Sequence, residues 1–141
     1  MPSDQLRRLL SRIDELGGDD AYPVVPVDLF FEGNRDEASI GPNLEPHPGI
    51  GTFHGVLSDI RSRPEVADVV VQISEVMEDD EWPFAEAAYV ITTAPPEEIH
   101  RWASDLQPDA PGDGAAWLYG DPPPGAPPVP EGHNIVTLYW N

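Results

Sequence analysis

The sequence contains no cysteine and no lysine. Without cysteine there is no disulfide, no thiolate metal ligand and no thiol nucleophile. Without lysine there is no Schiff-base chemistry and no phosphate-loop ammonium group. No apolar run approaches the ~20 residues that span a bilayer. The opening residues, Met1-Pro2-Ser3-Asp4, show no basic stretch leading into an apolar one. A secretion signal is therefore not expected, and the expected location is the cytoplasm. Positive charge is also scarce. All seven basic residues are Arg (7, 8, 12, 35, 61, 63 and 101), against 26 acidic residues, for a formal net charge of −19 on 141 residues. Nucleic acid and anionic membrane both carry dense negative charge, so neither is an expected partner. Cations or a basic protein surface are.

What is present is enough to fold. Hydrophobic residues make up 40% of the chain, with four each of Trp, Tyr and Phe, too apolar and too well patterned for a disordered acidic chain. One domain over residues 1–141 is expected. Ser3 is placed to cap a helix over 4–16, whose Leu6, Leu9, Leu10 and Ile13 fall at i, i+3, i+4, i+7. Gly17-Gly18 ends it. Residues 24–31 alternate Val25, Val27, Leu29 and Phe31 on one side and read as a strand, with Pro23 and Pro26 pointing to a sheet edge. Ser39-Ile40 reads as a short returning strand. Phe53, Val56, Leu57 and Ile60 predict a second helix up to Arg63, stopped by Pro64.

Strands are expected at about 66–77 and 86–93, paired as a hairpin. A helix opens at Pro95-Pro96-Glu97-Glu98, with proline and carboxylates in its first turn. Residues 108–132, with eight Pro and five Gly, form an irregular excursion that Trp117, Leu118 and Tyr119 anchor. A last strand runs from 135 to 140. After the leading helix the order is β-α-β-β-α-β, which predicts an α+β fold of the ferredoxin-like sandwich type.

Two polar segments stand out as candidate sites. The first comprises Asp28, Glu32, Asn34, Asp36 and Glu37, with Asn43 nearby. Oxygen ligands crowded into one turn suit a hard cation such as calcium, although the spacing is not that of an EF-hand. The second is Glu75, Glu78, Asp79, Asp80 and Glu81, with Trp82 and Phe84 directly after. Like charges this close must sit in water or meet something cationic. An aromatic beside them matches a hot spot for an Arg- and Lys-bearing protein. A solvated loop is the plainer reading of both segments. His47, His54, His100 and His133 share no metal-ligand spacing, and no serine lies in a G-x-S-x-G context. No catalytic residue, metal ligand or cofactor is assigned.

The run Pro26-Val27-Asp28-Leu29-Phe30-Phe31-Glu32-Gly33-Asn34, continued by Asp36-Glu37-Ala38-Ser39-Ile40-Gly41, resembles a family of small uncharacterised bacterial proteins. So does Glu81-Trp82-Pro83-Phe84 leading into Tyr89-Val90-Ile91-Thr92. The resemblance runs from about residue 22 onward and implies no activity. In size and acidity the chain also resembles immunity proteins of bacterial polymorphic toxin systems, which implies a basic protein as partner. The expected function is thus an acidic protein-binding domain using Glu78, Asp79, Asp80, Glu81 and Trp82, and secondarily Glu32, Asp36 and Glu37. One alternative is a small metal-dependent enzyme or cation-binding domain on the Asp28–Glu37 loop. Another is a homo-oligomeric structural or regulatory domain, because the last strand is apolar on both faces.

Overall fold

Four strands form one antiparallel sheet in chain order, β1-β2-β3-β4: β1 Val24–Pro26, β2 Val66–Glu75, β3 Phe84–Thr92 and β4 Asn134–Tyr139. The structure is a computed structural model and describes residues 3–78, 80–109 and 117–140. Among the described residues four α-helices accompany the sheet: α1 Asp4–Glu15, α2 Val27–Phe31, α3 Ile50–Arg61 and α4 Pro96–Trp102. The class is α+β, an antiparallel sheet with its helices gathered on one face.

The elements follow from their sequences. Ser3 caps α1 by accepting a hydrogen bond from the Leu6 amide at 3.1 Å, and Leu6, Leu9 and Ile13 are buried. On α3 the buried residues are Ile50, Phe53, Leu57 and Ile60. In β2 and β3 side chains alternate between two cores. Val69, Val71, Ile73, Ala88 and Val90, with Val136, Leu138 and Trp140 beside them, face the helices. Val24, Val70, Tyr89 and Ile91 face the other way, with Ile135 of β4 beside Ile91, and Trp117 and Ala126 pack over them.

Three expectations are not met. The strand expected over 24–31 stops at Pro26, and Val27–Phe31 is helical. Proline has no N–H to continue the ladder, and Val27, Phe30 and Phe31 are the buried positions, at helical spacing i, i+3, i+4. The ferredoxin-like interleaving is not confirmed: β1 pairs directly and antiparallel with β2 (Val24 opposite Gln72, Pro26 opposite Val70) rather than lying in a split βαβ unit. Two helices, not one, separate β1 from β2, and the extra pass returns the chain for an antiparallel pairing. The expected hairpin is present, with Val70 opposite Tyr89. Of the Ser39-Ile40 strand only an isolated bridge remains, from Ile40 to Ala85. The described part of the Pro/Gly-rich excursion lies over the second sheet face. It hydrogen-bonds the edge strand β1 through Val24 N–H to Pro124 O at 2.9 Å. Trp117 and Ala126 of this strap pack against the second-face cluster, beside Ile135 of β4, which stays partly exposed.

Candidate functional site

Trp82 fixes the geometry of the site. Its indole Nε1–H donates to the Phe30 carbonyl at the end of α2, 2.8 Å away, and the ring is 8% exposed. It pins its loop to the core instead of presenting an aromatic surface. The Ile40–Ala85 bridge holds the 33–40 segment alongside. That segment is itself braced. The Asn34 side chain is buried, donates to Ser39 Oγ at 3.0 Å and accepts from the Asp36 amide at 2.9 Å. Asp36 then accepts from the Ala38 amide at 3.0 Å. Gly33, at φ +80°, lets the backbone pass close to Gln5 of α1, where a Cβ would meet the Gln5 side chain at 3.1 Å.

Asp36 thereby meets Asp80, Glu81 and Trp82 around one open cleft of about 550 Å³, closed on the α1 side by Ser3 and Leu6. Arg35 is the basic residue on its wall. Asp80 and Glu81 are exposed and Asp36 is half-buried. One acidic residue of the first segment singled out in the sequence, Asp36, therefore shares a cleft with two of the second, Asp80 and Glu81. Not every expected residue is there. Glu78 is exposed and borders a separate groove beside Asp14 and Asp19. Glu37 is exposed on a 3₁₀ turn outside the cleft. Glu32 lies with Gln5, Arg8 and Asp28 around a hollow of about 20 Å³. Asp79 lies outside the described residues.

Asp28 is committed elsewhere. It sits in the first turn of α2, and its two carboxylate oxygens meet His54 Nε2 at 2.9 Å and Arg61 at 3.0 Å. The hydrogen bond from His54, then that from Arg61, holds its carboxyl below the ordinary value of 3.8. The His54 ring also stacks on Phe31, with centroids 5.5 Å apart. This ion cluster was missed in the sequence. The available signal was His54 and Arg61 seven apart on one helix, hence on one side of it. Among the described residues no group of three or more His, Asp or Glu is placed to hold a metal ion. His47 has a structural role: the Gly49 amide donates to its Nδ1 at 2.9 Å, so its Nε2–H donates to Ile40 O at 2.9 Å.

Fold and cleft define a small, strongly acidic α+β domain, with anionic side chains from distant segments arrayed around one depression. The chain belongs to the Uncharacterized protein YfbO family, whose model matches residues 4–138. It is 32% identical over 142 residues to "Uncharacterized protein YfbO" of Escherichia coli (strain K12), with 99% of each chain covered. The family resemblance read from Pro26–Gly41 and Glu81–Thr92 is thus shown, and the match takes in α1 as well. No solved structure matches. Among the described residues no helix is long and apolar enough to cross a membrane.

Proposed function

We propose that the chain is an acidic protein-binding domain whose partner is a basic protein, acting in the cytoplasm in the manner of an immunity protein that neutralises a cationic toxin. The observation that supports this is the convergence of Asp36 with Asp80, Glu81 and Trp82 on one braced cleft. Carboxylates gathered from separate segments repel one another, and a cationic partner relieves that repulsion. Fixed anionic arrays also raise association rates and select partners by charge. The hydrogen bond that holds Trp82 keeps the array from relaxing apart. The test is affinity capture from native lysate at low ionic strength. A basic protein should be recovered and released by salt, with recovery reduced by the double substitution Asp80→Asn, Glu81→Gln. Failure to recover any basic protein, or equal recovery by the variant, overturns the reading. The alternative of a cation site on the 28–37 segment is weakened by the commitment of Asp28 to His54 and Arg61.

A further inference from the structure

A second groove, of about 490 Å³, lies further along α1, between its C-terminal half and the segment that follows β2. Its apolar lining comes from Leu10 and Ile13 on one side and Val76 and Met77 on the other. Leu10 and Val76 are only partly buried against the main core. Met77 is 54% exposed, the highest value among the exposed large hydrophobic residues described. Around this apolar strip stand Asp14, Asp19 and Glu78, and no basic residue shares the described lining. The rim is not slack. Asp19 Oδ2 accepts the Val76 amide at 2.8 Å, tying the loop after α1 to the end of β2.

Met77 commits only part of its side chain to burial, and carboxylates stand around it. Apolar surface is left in water, and methionine is the side chain that adapts best to an incoming apolar group. A preformed groove with an apolar floor and an anionic rim is complementary to one kind of ligand: a segment carrying an aliphatic side chain with Arg or Lys spaced on either side. Because the walls are already tied together, less ordering is needed on binding.

We propose that this groove docks a cationic amphipathic segment of a partner protein, an apolar side chain seated on Leu10 and Met77 and its Arg or Lys side chains reaching Asp14, Asp19 and Glu78. The proposal rests on the basic-partner reading and adds to it a place and a binding mode, separate from the Asp36–Trp82 cleft. The probe is a synthetic Leu/Arg amphipathic peptide, titrated into the ¹⁵N-labelled full chain at about 150 mM salt, where diffuse attraction is screened beyond ~8 Å. Saturable shifts are expected at the Leu10, Asp14, Val76 and Met77 amides. Met77→Ser, or a peptide with Leu replaced by Ser at equal charge, is expected to weaken binding by about tenfold or more. Equal affinity for both peptides, with shifts scattered over the acidic surface or confined to the Asp36–Trp82 cleft, overturns the groove while leaving the basic-partner reading standing. Binding of neither peptide, even at low salt, overturns both.

Discussion

Trp82 shows how much a single polar atom can hold. Its Nε1–H supplies the short hydrogen bond to Phe30 O, and Asn34 Nδ2 lies farther from that carbonyl, at 3.5 Å. Trp82→Phe keeps most of the ring's burial and leaves the carbonyl poorly satisfied, an expected loss of about 1–3 kcal/mol. Trp82→Ala adds a cavity and is expected to lose about 3–5 kcal/mol. Denaturant melts of the two variants separate hydrogen bond from packing. A neutral Trp82→Phe would show that packing alone holds the cleft wall. His100 gives a pH dependence. Its Nε2 is buried without a partner, and burial holds its pKa below the ordinary 6.5, partly offset by a hydrogen bond with the Thr137 backbone. In the window below 6.5 the unfolded chain takes up a proton that the folded chain resists. The stability contribution is therefore present above about 6.5 and lost as pH falls through the depressed folded value. His100→Gln is expected to flatten the fall in melting temperature between about pH 7 and pH 5. An unchanged slope would exclude His100 as its source.

At the scale of elements, legibility tracked whether one periodicity had a competitor. α1 and α3 each carry an apolar stripe that fits only the helical period, and their observed ranges, Asp4–Glu15 and Ile50–Arg61, lie close to the expected ones. The β2–β3 hairpin was equally plain, because its β-branched residues alternate without a helical rival. Residues 24–31 satisfied both periods at once. The burial of Phe30 beside Phe31, which only tertiary packing reveals, decided for helix after Pro26. The Pro/Gly-rich strap was recognisable as irregular, and Trp117 as its anchor, yet which face it covers depends on contacts distant in sequence. Its attachment can be tested at one position. Gly125 has φ +86°, and a Cβ there would lie 2.5 Å from Val24 O, whereas Gly120, at φ +91°, has nothing within 4 Å. Gly120→Ala carries backbone strain alone, about 1 kcal/mol. Gly125→Ala adds a backbone clash and is expected to cost more, about 2–3 kcal/mol, while exposing the β1 edge. Equal melting temperatures for the two variants would show that the strap does not grip β1.

For the molecule as a whole, the charge was the plainest feature of the sequence and the least informative about position. Nothing in the spacing of Asp36 and Asp80 says that they share a cleft; the Ile40–Ala85 bridge and the Trp82 anchor bring them together. A net charge of −19 on a folded body stores self-repulsion that the unfolded chain spreads over a larger volume. Added salt screens that repulsion, so NaCl raised from about 10 mM to 300 mM should increase the melting temperature. The same experiment separates diffuse screening from a discrete cation site. CaCl₂ or MgCl₂ at matched ionic strength should give nearly the NaCl curve if the carboxylates act as a field, as the pairing of Asp28 with His54 and Arg61 and the lack, among the described residues, of a group placed to hold a metal ion imply. A discrete site would add RT ln(1 + [L]/Kd), about 2.7 kcal/mol at a hundredfold excess over Kd, for the divalent ion alone. Such an excess would restore the 28–37 segment as a cation site. Coincident curves would leave a protein-sized cation as the species best able to relieve repulsion in the cleft, because it can meet Asp36, Asp80 and Glu81 together where a small ion is shared among them.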